Sequence, residues 1–327
     1  MDFSSIKEYL KPDLDRVQDL MNTSLASDIE LLDKTNQRVL AHSGKQVRPV
    51  LALLTAKACS GGFVTEETIH FAAAAELIHN ATLLHDDVAD NSPVRRGEPT
   101  VMSLLGGRAS VLLGDYWLVK GIESVLSVNT FSGKVIRIFS NTLSDLAEGE
   151  LLQLQKADTC DTTESDYYRI IYNKTASLFV ASANTAAISV SASDEKRKAA
   201  KLYAECLGIA FQIKDDIFDY EGGDLTGKPS GLDLEERKIT LPLLGAFVNA
   251  GEDMEKEIRA LVARADEDAE SRKKIVDFVR ENGGVDYAIK RLGDYVGKAK
   301  SALRTMGIGK EVAMLADIAD FVAYRKS

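Results

Sequence analysis

The chain has few of the residues that usually carry covalent or redox chemistry. Among its 327 residues there are 3 cysteines and 4 histidines. Cys59, Cys160 and Cys206 are far apart and show neither CxxC spacing nor the density of a disulfide framework. The sequence therefore favours a reducing, cytoplasmic location and excludes a disulfide-stabilised scaffold.

Long apolar runs and an excess of basic charge are also absent. No window approaches about 18 uncharged apolar residues, which excludes a membrane-spanning helix, and the N-terminal MDFSSIKEYLKPDLDRV resembles neither a signal peptide nor an Arg-rich transit peptide. With 40 basic and 50 acidic residues the net charge is −10, which disfavours nucleic-acid binding. An anionic ligand would have to be held by local basic groups or by metal.

Prolines are scarce as well, and the apolar residues predict helices. They recur at i, i+3, i+4 and i+7 rather than in strand-like alternation. The segment 65–90 begins at Thr65, an expected N-cap, carries Glu66 and Glu67 in its first turn, and continues for more than six turns without a breaker. Further helices are predicted at 46–59, 109–126, 134–155, 164–190 and 195–220, and one near the C-terminus.

The composition predicts one large all-α domain. Hydrophobic residues make up 45% of the chain, enough for a sizeable core. No linker-like shift in composition divides the chain, so residues 1–327 are predicted to form a single domain. The longest polar, Gly-rich connection, EGGDLTGKPSGLD at 221–233, is of a length more often functional than incidental.

Two clusters of aspartates stand out against this background. LLHDDVADNSPVRRG (83–97) and FQIKDDIFDYEGG (211–223) each contain DDxxD. On a helix, residues i and i+4 share a face, so Asp86 pairs with Asp90 and Asp215 with Asp219. Such like-charged pairs cost roughly 0.2–0.5 kcal/mol each when not neutralised, and oxygen-only carboxylates suit Mg²⁺ that also binds substrate phosphates. One DDxxD arises by chance in many proteins; two in apolar helices indicate clamps for metal and diphosphate.

Basic side chains follow both clusters. Arginine forks and lysine ammonium groups bind phosphate oxygens, and helix N-termini attract anions. For any single one of them a surface ion pair is the alternative, because such pairs are common and nearly neutral in energy. His79 lies two turns before Asp86, where a hydrogen-bonded core histidine is the alternative to a ligand. The basic candidates are Lys45, Arg48, Arg95, Arg96, Lys228 and Lys238.

These motifs, with GKQVRP at 44–49 and GKPSGLDLEERKITLPLL at 227–244, resemble those of the trans-isoprenyl diphosphate synthases, or polyprenyl synthetases, over nearly the whole chain. The resemblance implies an all-α bundle around a deep central cavity, with the two motifs facing each other across its mouth. It also implies a homodimer, three Mg²⁺ ions per site, and condensation of isopentenyl diphosphate with an allylic diphosphate. An allylic cation would form, be attacked at C1 by the isopentenyl double bond, and then lose a proton.

The resemblance also assigns roles to positions of this sequence. Metal ligation falls to Asp86, Asp87, Asp90, Asp215 and Asp219. The allylic diphosphate would be bound or flanked by Arg95, Lys174, Thr175, Gln212, Lys228 and Lys238. The isopentenyl diphosphate pocket would contain Lys45, Arg48, His79 and Arg96. The family often has arginine where Gln46 stands, and this departure is expected to alter affinity without removing the pocket.

The resemblance further suggests a long product. Short-chain members often place an aromatic residue just before the first motif or insert two residues within it, whereas here Ala81 and Thr82 are small and DDVAD has no insertion. An octaprenyl-type synthase is expected, and Ala81→Phe should truncate its product. The alternatives are a farnesyl or geranylgeranyl synthase, a class I terpene cyclase, a non-catalytic subunit, or a structural scaffold.

Overall fold

The computed structural model describes residues 2–42, 44–221 and 231–325, and within them the protein is helical apart from one short hairpin. None of the described helices has an apolar stretch long enough to cross a bilayer. In chain order the helices are α1 (Phe3–Leu25), α2 (Glu30–Ala41), α3 (Val47–Ser60), α4 (Glu66–Ala89), α5 (Val101–Leu105), α6 (Gly107–Leu126), α7 (Ser132–Thr159), α8 (Glu164–Ile171), α9 (Ser177–Ser189), α10 (Asp194–Glu221), α11 (Leu232–Glu235), α12 (Leu241–Ala250), α13 (Glu252–Val262), α14 (Ala269–Glu281), α15 (Gly284–Leu303) and α16 (Lys310–Tyr324). A π-helical turn, Tyr172–Ala176, joins α8 to α9, and a 3₁₀ turn, Arg304–Met306, follows α15.

The predicted start of the central helix is confirmed. Thr65 caps α4 with its side chain, which accepts a hydrogen bond from the N–H of Thr68, while the Thr68 hydroxyl accepts from the Thr65 N–H at 3.1 Å. This reciprocal capping box satisfies two N–H groups that would otherwise lack partners. Glu66 and Glu67 lie in the first turn, where they complement the helix dipole.

Contacts cluster the chain into two compact units. Of the described residues, the first comprises those within 2–42, 44–140, 181–201 and 305–315, and the second those within 141–180, 202–221, 231–304 and 316–325. The prediction of a single domain stays a prediction.

Small residues allow close helix packing in the first unit. α4 packs along α6, and the Ala72–Ala75 run is fully buried. A Cβ on Gly121 would lie 3.3 Å from the Ala74 carbonyl oxygen, so glycine here lets the two backbones approach without the small shift that a larger residue would require. Trp117 is also buried in this unit, where its Nε1–H donates to Asn36 Oδ1 at 2.8 Å.

The second unit is built around the packing of α12 on α15 and the buried face of α10. Ile213 and Ile217 of α10 are completely buried. Gly208 of the same helix faces Ala176, whose Cα would lie 2.6 Å from a Cβ added there. The C-terminal half of α10, which carries the second aspartate motif, is thus fixed by packing on its inner face.

Candidate active site

A partly accessible stripe runs along α4 and ends at the first aspartate motif. His79, Thr82 and Asp86 are half-buried and recur at helical spacing, whereas Ala81 is only 1% exposed. Asp90 caps the helix C-terminus, is exposed, and donates its N–H to the Asp86 carbonyl at 2.8 Å. The helical hydrogen bond keeps the predicted i, i+4 pair one turn apart.

The third aspartate of this motif has a different environment. Asp87 is buried, and its Oδ1 accepts a hydrogen bond from Arg95 Nε at 2.6 Å. Arg95 is held by the hairpin Val94–Arg95 and Glu98–Pro99, whose two-residue turn has positive φ at both Arg96 and Gly97, the geometry that matches strand twist. Asp87 therefore orients Arg95 in this structure.

Cationic groups converge on His79. Burial and the charges of Arg48, Arg96 and Arg95 hold the pKa of His79 well below its usual range, so its imidazole is neutral. Burial lowers the pKa of Arg48 to about 10, which still leaves it charged at neutral pH. Lys45 lies exposed in the turn before α3. This part of the first unit thus offers concentrated positive charge to an anion.

Two residues before α3 shape the N-terminal side of this cluster: Gln46, whose backbone is in the left-handed region, and Gly44. Gln46 has φ 54° and donates to Gln18 Oε1 at 2.9 Å. Gly44 lies beneath the Arg96 guanidinium, whose carbon would be 2.6 Å from a Cβ there. Arg96 also donates to the His42 carbonyl at 2.8 Å. Any side chain at 44 would displace Arg96.

Glu76 is a site residue that the sequence analysis missed. It is 1% exposed, and within the described residues its Oε2 has no hydrogen-bond partner. Burial raises its pKa, while the charges of Arg48 and Arg96 act against that rise. A glutamate inside the apolar run AAAAELI was the signal that could have found it, because a buried carboxylate needs a compensating charge.

The second unit contains a polar cavity of about 130 Å³. This volume is below the ~300–1,000 Å³ of most ligand pockets and suits a small anionic group. Three lysines, Lys156, Lys174 and Lys238, line it. Lys174 Nζ lies 2.5 Å from Glu150 Oε2 and donates to Gln153 Oε1 at 3.1 Å. The cavity therefore has three lysines in its wall, and Asp216 and Asp233 line it as well.

A chain of hydrogen bonds crosses the wall of this cavity. Thr175 Oγ1 donates to Gln212 Oε1 at 2.9 Å, and Gln212 Nε2 donates to Asp216 Oδ1 at 2.9 Å. The buried Tyr167 hydroxyl donates to Asp216 Oδ2 at 2.6 Å. Burial raises the pKa of Asp216 and also that of Asp233. The structure brings Thr175 and Gln212 into one hydrogen-bonded chain with Asp216 and Tyr167; the sequence analysis did not name Tyr167 or Asp233.

The other carboxylates of the second motif are engaged too. The Asp215 carboxylate is 2.7 Å from Arg325 Nη2. The Asp219 carboxylate accepts from the backbone N–H groups of Leu232 at 2.9 Å and Asp233 at 3.3 Å. Asp219 thereby anchors the chain on the far side of the Gly-rich connection. Lys228 lies outside the described residues.

Lys174 and Thr175 lie in the π-helical turn Tyr172–Ala176, whereas the sequence analysis predicted an unbroken helix over 164–190. Single π turns inside helices frequently occur at functional sites. Gly149 of α7 faces this turn: a Cβ there would lie 2.7 Å from Asn173 Cβ and 3.1 Å from the Lys174 nitrogen. Glycine at 149 thus permits α7 to pass beside the turn.

Alanine in place of glycine within a helix usually stabilises a protein, but at Gly149 it should destabilise it. Gly149→Ala is expected to lower the free energy of unfolding by about 1–3 kcal/mol because the Lys174 backbone must move. Gly293→Ala, in the middle of α15 with open space around it, should instead raise it by roughly 0.5–1 kcal/mol. Urea denaturation of both variants measures the two effects; equal changes would show that Gly149 is not tightly packed.

The donor set limits which metal fits. Among the described residues no three His, Cys, Asp or Glu side chains are close enough together to hold an ion alone. Carboxylate oxygens in pairs suit Mg²⁺, which keeps several waters and shares phosphate oxygens, and they do not resemble a structural zinc site. The residues present fit a hydrated magnesium ion that binds together with a diphosphate.

Comparisons with known proteins show the family of the chain. The Polyprenyl synthetase family profile matches residues 29–279. The chain is 34% identical over 307 residues to the octaprenyl diphosphate synthase of Escherichia coli (strain K12), covering 94% of each chain. It is 32% identical over 305 residues to the short chain isoprenyl diphosphate synthase of Methanothermobacter thermautotrophicus, covering 92% of this chain and 93% of that protein. The crystal structure of polyprenyl synthase from Caulobacter crescentus CB15, complexed with calcium and isoprenyl diphosphate, aligns with a TM-score of 0.90 at 31% identity, covering 100% of this chain and 98% of that one.

Proposed function

Because this chain belongs to the polyprenyl synthetase family, has the isoprenoid synthase fold and is a prenyltransferase, we propose that it is a long-chain all-trans polyprenyl diphosphate synthase of octaprenyl type. Its substrates are isopentenyl diphosphate and an allylic diphosphate. The observation that carries the proposal is the pairing of two carboxylate motifs with separate groups of cations, one around His79 and one lining the cavity beside Asp216.

The residues divide the chemistry between them. Asp86, Asp90 and Asp215 would hold Mg²⁺, three ions per site, which supply positive charge for the departing diphosphate. Asp87 and Asp219 support this arrangement by holding Arg95 and the chain at 231–233. In our proposal the residues on the allylic diphosphate are Arg95, Lys174, Thr175, Gln212, Lys228 and Lys238, and those on isopentenyl diphosphate are Lys45, Arg48, His79 and Arg96.

The reaction then needs no protein nucleophile. Cleavage of the allylic C1–O bond leaves the electron pair on diphosphate and a cation on the carbon chain. The fixed cations, Arg95 and Lys174 above all, stabilise the charge that develops on that diphosphate, an effect that is large in water-excluded sites. Attack of the isopentenyl double bond on C1 and loss of a proton to the departed diphosphate extend the chain by five carbons.

One assay separates this function from its rivals. Farnesyl diphosphate and labelled isopentenyl diphosphate should give, with Mg²⁺, a product near eight isoprene units on reversed-phase chromatography. A product that stops at geranylgeranyl, or conversion of dimethylallyl diphosphate to farnesyl diphosphate without extension of farnesyl diphosphate itself, would instead identify a short-chain synthase. Turnover without isopentenyl diphosphate would identify a cyclase, and absence of any turnover would favour a non-catalytic subunit.

We also propose that the chain functions as a homodimer. Leu112, Val119 and Leu126 of α6 are 60%, 50% and 56% exposed and recur every seven residues, so they form one apolar line along the helix. A line of large apolar side chains at a helix surface typically marks an interface.

Three buried free thiols, Cys59, Cys160 and Cys206, support the proposed cytoplasmic location.

The dimer proposal has a direct mutational test. Leu112→Asp is expected to convert a particle of twice the chain mass into a monomer, because a charge in the apolar line must be desolvated on association. Multi-angle light scattering measures this mass. Leu202→Asp, at a leucine 48% exposed on α10, is the matched control and should leave it unchanged. A wild-type monomer, or a Leu112→Asp dimer, would contradict the proposal.

A further inference from the structure

The C-terminal Arg325 reaches the second aspartate motif. It follows directly on α16 and lies 110 positions from Asp215 in sequence. Its Nη2 is 2.7 Å from Asp215 Oδ1 and 3.0 Å from the carbonyl oxygen of Phe211. The Arg325 side chain is 7% exposed. This contact therefore differs from exposed surface ion pairs, which contribute little.

Two aromatic rings hold the guanidinium in place. Its central carbon is 4.0 Å from the centroid of Phe211 and 5.6 Å from that of Phe218. Rings in this arrangement attract a cation through their quadrupole. Burial lowers the pKa of Arg325, and the charge of Asp215 opposes that fall. Within the described residues the buried Arg325 Nε has no hydrogen-bond partner, so Asp215 and the Phe211 carbonyl satisfy only part of the hydrogen-bonding capacity of the guanidinium.

We propose that Arg325 is a positioning residue that acts as a C-terminal latch, holding and neutralising Asp215 until a divalent cation arrives together with diphosphate. The inference rests on the proposed function, because it takes Asp215 as a metal ligand. A cation that binds Asp215 meets the like charge of the buried guanidinium on the same carboxylate, and this repulsion disfavours its binding. Diphosphate lowers that cost by giving the guanidinium an anionic partner. Metal loading of the second motif is thereby tied to substrate.

The latch is tested by Mn²⁺ binding, followed by electron paramagnetic resonance without turnover. Arg325→Met keeps an unbranched apolar stem against the two rings but removes the charge. Without pyrophosphate it is expected to tighten Mn²⁺ binding about tenfold, the effect of one charge-assisted hydrogen bond. With saturating pyrophosphate the gain should fall below about threefold. Arg325→Lys keeps the charge and should stay near wild type, and Arg304→Met is the control for net charge because Arg304 is exposed.

The outcomes are distinct. Unchanged or weaker Mn²⁺ binding by Arg325→Met without pyrophosphate overturns the latch, as does an equal gain in Arg304→Met. If Arg325→Met does not fold, Arg325→Gln, which also removes only the charge of this residue, provides the same comparison. Asp215→Asn in the Arg325→Met background should abolish the gain; if the gain persists, another ligand is responsible. If the wild-type protein forms polyprenyl diphosphate but Arg325→Met binds Mn²⁺ with the same affinity as wild type, the latch alone is rejected. If the wild-type protein binds no Mn²⁺ even with pyrophosphate, the proposed function is rejected.

Discussion

Asp86→Asn should lower kcat about 10³-fold, because one ligand to the metal that stabilises the departing diphosphate is lost. Asparagine has nearly the same shape and removes only the charge, and Asp86 is half-buried near the end of α4. The melting temperature should therefore change little. Steady-state incorporation of labelled isopentenyl diphosphate, with circular dichroism of the same sample, measures both quantities.

Two further variants serve as controls for the expected loss of kcat in Asp86→Asn. Asp19→Asn, at an exposed position of α1, removes the same charge and should retain full activity. Asp87→Asn should act through Arg95, its partner at 2.6 Å, and raise KM for the allylic substrate more than it lowers kcat. An Asp86→Asn enzyme within about tenfold of wild type would mean that this carboxylate does not serve the reacting diphosphate.

Thr82→Phe should shorten the product, the second large effect expected. Thr82 lies one helical turn before Asp86 on the half-buried stripe of α4. A phenyl ring there would block the path of a lengthening apolar tail below Asp86, the proposed metal ligand. Chromatography of the products should show a shift from about eight isoprene units to four or fewer, since each helical turn covers 5.4 Å of tail.

Ala81→Phe is the companion test because Ala81 and Thr82 face different surroundings. At 1% exposure, Ala81 is packed among its neighbours, so a ring there should lower the free energy of unfolding by about 1–3 kcal/mol as well as truncate the product. Thr82→Phe should truncate with a smaller loss of stability. Thr82→Val, close in volume, controls for loss of the bond from its Oγ1 to the His79 carbonyl. If both phenylalanine variants still make the wild-type product, neither residue lines the path of the tail.

Local signals in the sequence predicted the helices well. Thr65 marked the start of α4 because its side chain can cap the helix, and the 3.6-residue apolar spacing identified α3, α6, α7 and α10 to within a few residues. The π turn at 172–176 escaped prediction, since it depends on how Gly149 lets α7 pack beside it. The spacing of apolar residues in 164–190 does not indicate that contact.

The candidate site shows the same difference between local features, which the sequence predicted, and long-range contacts, which it did not. The two DDxxD motifs were visible in the sequence because their geometry is local to one helix. The partners of those aspartates were not visible, since Tyr167 reaches Asp216 from 49 positions away and Arg325 reaches Asp215 from 110. Contacts between distant segments are set by tertiary packing and carry no local pattern.

The central claim is that the aspartate motifs bind diphosphate through Mg²⁺, and calorimetric titration of pyrophosphate tests it most directly. Wild-type protein should bind pyrophosphate at least about tenfold more tightly with Mg²⁺ than with EDTA, and Asp86→Asn and Asp215→Asn should each lose most of that gain. Pyrophosphate affinity that is the same with and without Mg²⁺, or the same in wild type and both variants, would contradict it.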